Sequence, residues 1–177
     1  SDDLRWWIHN LKEWNGTSWV QSPTELEVFT DASDSGWGVV IGEQTWSGSW
    51  TPEERQQHIN WKELQSVFRA VTLPQVQGRM INLVCDNTTT IAYVNKFGGT
   101  RSPALMQVAD KIWRHCLATG TRISTTYVPS TFNPADAPSR RLQAQLEWSL
   151  DPAFFQHLDQ TWGPHSVDMF ASHVNKQ

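Results

Sequence analysis

Residues 25–50 read ELEVFTDASDSGWGVVIGEQTWSGSW, and the spacing of their apolar side chains decides the fold. Leu26, Val28 and Thr30 alternate with Glu27, Phe29 and Asp31, the two-residue repeat of a strand. Ser35-Gly36 turns the chain into a second strand, Gly36 to Ile41, and Gly42-Glu43 turns it into a third, Thr45 to Trp50. Turn dipeptides between short apolar runs predict a three-stranded antiparallel meander. Asp31 then lies at the far end of the first strand.

Downstream, Thr51-Pro52-Glu53-Glu54 is a helix start, with Thr as N-cap and Pro at the first helical position. One helix is expected from there to about Leu73. Met80 to Cys85 is a short, nearly all-apolar run, which suits a strand buried on both faces, and Asp86-Asn87 ends it. Asn87 to Phe97 and Ser102 to Thr119 read as two helices parted by Gly98-Gly99. Thr121 to Val128 reads as a last strand closed by Pro129, and Asn133-Pro134 opens a further helical turn. The order predicts an α/β domain whose mixed, five-stranded sheet has three antiparallel strands followed by two parallel ones, flanked by helices.

Upstream, Leu4, Trp7, Ile8, Leu11 and Trp14 recur at spacings of three and four, an amphipathic helix whose stripe needs a partner; it ends at Asn15-Gly16. The expected division is 1–24 for this helix and its connector, 25–141 for the domain, and 142–177 for an extension with a helix-like stretch from Pro152 to Gln160. A chain of 177 residues that is 38% hydrophobic is the size of one domain with extensions. It shows no apolar run of membrane-spanning length and no signal peptide, so an intracellular protein without a membrane partner is expected. The lack of an initiator methionine predicts a piece of a longer protein.

Cys85 and Cys116 lack the spacing of a zinc site or a disulfide framework and are expected to be reduced core thiols. No two of the six histidines stand four apart. A net charge of −4 argues against strong nonspecific nucleic-acid binding, which needs clustered cations. The objection weakens where acids are gathered around divalent cations, because bound metal reverses the local field.

Four acids stand out. Glu63 shares a helical face with Val67, Ala70 and Val71, so it points toward the core, and no basic residue lies on that stripe to pair with it. Such burial is costly unless the carboxylate is paired or bound to metal. Asp86 follows the buried strand, at the edge where α/β sheets place ligands; an N-cap is its alternative role. Asp31 could be a turn residue, and Asp136, three after Asn133, could belong to a helix cap. Together, acids after the first strand, on the first long helix, after the fourth strand and at a late helix start could meet at one edge. Convergence without Lys or Arg calls for divalent cations, and oxygen ligands suit Mg²⁺ or Mn²⁺.

FTDASDSGWGVVIG, HINWKEL, LVCDNTTTIAYVNKFGGTRS and VPSTFNPADAPSR resemble the ribonuclease H family, closest in wording to the domain of DIRS-type and gypsy-type retroelement reverse transcriptases. The resemblance spans roughly residues 28–140. It implies the ribonuclease-H-like fold and a nuclease that cuts the RNA strand of RNA–DNA hybrids with two Mg²⁺ ions, beside a polymerase domain in the same polyprotein. Asp31, Glu63, Asp86 and Asp136 would be the catalytic metal ligands. Asn60, Asn87 and Thr88 would touch the hybrid, while Arg101, Arg140 and Lys96 are candidate phosphate contacts. The loop before the last acid lacks the histidine of many members, leaving Tyr127 nearest. The short GGTRS link leaves no room for the basic helix that some members carry. A non-catalytic connecting module of the same fold, or another nuclease or transposase, is the alternative.

Overall fold

The computed structural model describes residues 2–14, 23–140 and 152–163. Strands β1 (Leu26–Ala32), β2 (Gly36–Ile41), β3 (Gln44–Ser49), β4 (Met80–Cys85) and β5 (Arg122–Tyr127) form one sheet in the order β3-β2-β1-β4-β5. The β1–β2 and β2–β3 pairs are antiparallel, whereas β4 runs parallel to both β1 and β5. The mixed sheet expected from the alternating and apolar runs is therefore present. β1 and β4 pair Phe29 with Val84, so two residues further on Asp31 stands level with Asp86. Parallel strands end on the same edge, and the register alone brings both acids there.

The helices are α1 (Asp2–Trp14), α2 (Pro52–Arg55), α3 (Ile59–Val71), α4 (Thr88–Asn95), α5 (Pro103–Thr119), α6 (helical residues 136–140) and α7 (Pro152–Trp162). Val28, Val39, Ile81 and Leu83 of the sheet are fully buried with Leu64, Val67 and Val71 of α3 and Ile112 and Cys116 of α5. Burying one such aliphatic side chain contributes roughly 1.5–3 kcal/mol. This core fixes how α3 lies on β1. Cys85 and Cys116 are buried and unpaired, and burial pushes both thiols up to about 12.

The single helix expected from Thr51 to Leu73 is instead two. Thr51 and Glu54 make a reciprocal capping box, Glu54 N donating to Thr51 Oγ1 at 3.2 Å and Thr51 N to Glu54 Oε2 at 3.1 Å. After one turn the chain becomes extended at His58, whose Nδ1 accepts from Asn60 N at 3.1 Å and caps α3. A side-chain cap competes with continuation of the backbone ladder. Tertiary contacts hold the break: Arg69 of α3 reaches back to Glu54 at 2.9 Å, and its guanidinium lies over the Trp37 and Trp50 rings.

Smaller differences have local causes. β3 ends at Ser49, and Trp50 turns inward to donate its indole N–H to the Ser33 carbonyl at 2.9 Å. α4 stops at Asn95 rather than Phe97, because Gly98 N donates to Tyr93 O at 2.8 Å and Phe97 N to Val94 O at 3.2 Å. This closing pair puts Phe97 in the left-handed region at φ 58°.

α1 covers the residues of the expected amphipathic stripe, with Leu4, Trp7, Ile8 and Leu11 exposed along it. The side chain of Trp14, the Asn15-Gly16 stop and most of the connector, 15–22, lie outside the described residues, as do 141–151 and 164–177. No described helix is long and apolar enough to cross a membrane.

Candidate metal centre

Asp31, Glu63 and Asp86 each present a carboxylate oxygen within 4.8 Å of the others. The parallel register delivers the two aspartates. The buried face of α3, carrying Val67, Ala70 and Val71, delivers Glu63. Asp31 is 3% and Glu63 4% exposed, whereas Asp86 is half-buried. The Ala32 backbone works against a rise in the Glu63 titration, yet Glu63 Oε2 is buried with no hydrogen-bond partner.

Burial pushes Glu63 up to about 9, reinforced by the neighbouring charges of Asp31 and Asp86. Asp31 is pushed up to about 6, again mainly by burial; the hydroxyl of Ser139 works against that rise and the charges of Asp86 and Asp136 add to it. Burial away from water and mutual repulsion make three close carboxylates expensive to ionise, whereas a cation in their midst favours the ionised form. The orphaned oxygen and the all-oxygen donor set fit a hard divalent cation.

Asp136 stands beside this trio, not within it. It lies at the start of α6, outside the 4.8 Å group, but near enough that its charge raises both Asp31 and Glu63. Its Oδ1 accepts from Arg140 Nε at 3.0 Å. The expectation of convergence without basic residues is corrected there, since one turn of helix brings an arginine onto the fourth acid. Both partners are partly exposed, and a pair of this kind contributes at most about 1 kcal/mol. Pro138 falls in the first turn of α6, where its missing N–H has no helical acceptor to lose.

The segment after β5 binds the edge together. Ser130, in the 3-10 turn Ser130–Phe132, donates to Asp86. Asn133, 5% exposed, donates to the Thr30 carbonyl at 3.0 Å and accepts from Ala135 N at 3.1 Å. Ser139 donates to Asp31 Oδ2 at 2.5 Å, and Ser33 donates to the Ser139 carbonyl at 2.7 Å. A side chain at Gly38 would put its Cβ 2.5 Å from the Ala135 carbonyl, so only glycine lets α6 sit this close to β2. Sequence reasoning missed Ser33, Ser130 and Ser139. Ser139 alone carried a signal, falling one helical turn after Asp136 on the same face.

The other candidates distribute unevenly. Asn87 Nδ2 donates to Asn60 Oδ1 at 3.0 Å, while Asn87 Oδ1 caps α4 by accepting from Thr90 N at 2.9 Å. Asn87 thus combines the capping role with a link to Asn60. Thr88 is exposed beside Asp86, and Tyr127, 55% exposed, ends β5 opposite Cys85. Lys96 and Arg101 are exposed near the α4–α5 link, and Arg140 is engaged with Asp136. Trp61 packs edge-on against Trp50 and against the core.

Residues 19–155 match the family described as the viral DNA polymerase C-terminal domain. Among solved structures, the ribonuclease H1 of the halophilic archaeon Halobacterium salinarum is 20% identical with a TM-score of 0.54, over 67% of this chain and 97% of that one. LC11-RNase H1, solved in complex with an RNA/DNA hybrid, is 16% identical with a TM-score of 0.54, over 64% and 93%. The N-terminal ribonuclease H domain of rv2228c from Mycobacterium tuberculosis is 13% identical with a TM-score of 0.56, over 70% and 98%. These likenesses establish the ribonuclease H fold. No curated protein sequence matches the chain.

Proposed function

From the premise that this chain belongs to the viral DNA polymerase C-terminal domain family, we propose that it is the ribonuclease H domain of a retroelement reverse transcriptase, hydrolysing the RNA strand of RNA–DNA hybrids. The observation that carries the reading is the trio Asp31, Glu63 and Asp86, two of them buried, with its unsatisfied Glu63 oxygen. Asp31, Glu63 and Asp86 would hold two Mg²⁺ ions, Mn²⁺ substituting, with Asp136 completing the set once it exchanges Arg140 for a cation. When bound, such a pair of ions supplies water activation and neutralises charge on the phosphate and the leaving oxygen.

The chain's own groups do the positioning. Ser139 and Ser130 donate hydrogen bonds to Asp31 and Asp86. Asn87 spends one amide hydrogen on Asn60, which leaves the amide of Asn60 and the second hydrogen of Asn87 to face a sugar 2′-hydroxyl, the group that separates RNA from DNA. Arg101, Lys96 and Thr88 would meet the backbone. Arg140, released from Asp136, would meet phosphate, and Tyr127 would flank the reacting strand. The products would carry 5′-phosphate and 3′-hydroxyl ends. Residues 25–141 would form the nuclease, with 1–24 on the side of a polymerase domain and 142–177 an extension.

Incubation with labelled RNA–DNA hybrid, duplex RNA and duplex DNA in Mg²⁺ or Mn²⁺ tests this. Only the RNA of the hybrid should be cut, and Asp31→Asn should abolish cutting. Cleavage of duplex DNA, or full activity in D31N, would sink the proposal.

A further inference from the structure

We propose that Ser139 is a positioning residue that sets the direction of the Asp31 carboxylate toward the metal cluster and locks it to the helix carrying Asp136. This inference rests on the proposed metal-dependent function and goes beyond it, because it concerns a residue outside the ligand set.

Ser139 is 1% exposed and is held at both backbone ends. Its N–H donates to Ala135 O at 3.1 Å, and its carbonyl accepts from Ser33 Oγ at 2.7 Å. Ser33 is in turn fixed by its own loop, where its Oγ accepts from Gly36 N at 3.1 Å. Against this main chain stands the backbone of β2: a Cβ at Gly38 would lie 2.8 Å from Ser139 N, and one at Gly36 would lie 3.2 Å from Ser139 O. The Ser139 backbone is therefore packed closely against β2.

Its hydroxyl is aimed by that constraint. The single O–H proton has two acceptors within reach, Asp31 Oδ2 at 2.5 Å and Asp136 O at 2.8 Å. A bond to an ionised carboxylate is about twice as strong as a neutral one, so ionised Asp31 takes the proton. Spending Oδ2 on Ser139 leaves Oδ1 for a cation shared with Glu63 and Asp86. Because Ser139 lies on α6, its bond to Asp31 ties the ligand on β1 to the helix that carries Asp136, a residue 105 positions away in sequence. Groups that orient metal ligands in this way typically change metal affinity by about 10–100-fold when removed.

The test uses the full chain and Mn²⁺ alone as probe, titrated calorimetrically without nucleic acid, well below every melting midpoint. Ser139→Ala should weaken Mn²⁺ binding by about 10-fold or more and raise the Mg²⁺ needed for half-maximal hybrid cleavage in parallel. The hybrid KM at saturating metal should stay unchanged. Thr121→Ala is the packing control: Thr121 is buried, holds Gly78 N at 3.0 Å and lies just before β5, at the opposite end of the sheet. It should lower the melting temperature and leave Mn²⁺ affinity alone.

Unchanged Mn²⁺ binding in S139A, or an equal loss in T121A, overturns the positioning role while leaving the metal centre intact. A wild-type chain that binds no Mn²⁺ overturns both. A wild type that binds Mn²⁺ without cutting hybrid overturns the proposed function only, since the S139A titration still decides the positioning role.

Discussion

Glu63 at neutral pH keeps its proton in the metal-free protein, because burial and two neighbouring aspartates push it up to about 9. The folded state then binds more protons than the unfolded chain from about pH 4.5 to 9, so stability falls as pH rises through that window. Each pH unit costs at most about 1.4 kcal/mol. Asp31, pushed up to about 6, contributes in the same sense over its lower part. Melting curves without metal should therefore shift downward between pH 6 and 9. Glu63→Gln should flatten them there and melt higher than wild type at pH 8 by roughly 5 °C. Added Mg²⁺ should restore the wild type at pH 8 and leave E63Q nearly unmoved. An E63Q curve as steep as the wild type would show that Glu63 does not carry the titration. Of the residues around the centre, Glu63 was the most legible in sequence, since an acid on an apolar helical stripe is conspicuous without any contact map. Ser33 and Ser130 were not, because a hydroxyl whose partner lies far away in sequence leaves no periodic trace, and Ser139 offered only its place one turn after Asp136.

Among the elements, the contact of α6 with β2 carries the most consequence for the site. It brings Asp136 and Ser139 to the acids of β1 and β4, and it depends on Gly38, where a Cβ would meet the Ala135 carbonyl at 2.5 Å. Gly38→Ala should destabilise the fold by about 1–3 kcal/mol, the usual cost of overpacking, seen as a lower urea midpoint. It should also reduce hybrid cleavage more than it reduces the folded fraction, because α6 moves with the clash. Loss of activity in simple proportion to unfolding would argue that α6 tolerates the shift. The strands were readable from their period and turn residues, and β4 came out with the bounds its apolar run suggested. The break between α2 and α3 was not readable. Propensity favours continuation from Pro52 to Val71, and what overrides it is the Arg69–Glu54 contact and the His58 cap.

For the whole molecule, net charge −4 sets the expected grip on nucleic acid. With Lys96, Arg101 and Arg140 as the phosphate contacts, the logarithm of hybrid affinity should fall with the logarithm of salt at a slope no steeper than about −3. Arg101→Ala should make that slope shallower by about 1 unit and weaken binding without changing the cleavage rate at saturation. A slope near −6 in fluorescence-anisotropy titrations would reveal cations that this account omits.

Sequence by itself determined the succession of strands along the chain and the inward aim of Glu63. Those properties follow from periodicity and from the high cost of burying an unpaired charge, both local in the chain. Only the tertiary structure decided that Asp136 stands apart with Arg140, that α6 rests on bare β2 backbone at Gly38, and that serine hydroxyls donate to Asp31 and Asp86. These depend on the distance between segments far apart in sequence, and side-chain type does not encode that distance. The register between β1 and β4 shows the division clearly: each strand announces itself, but only their pairing places Asp31 level with Asp86.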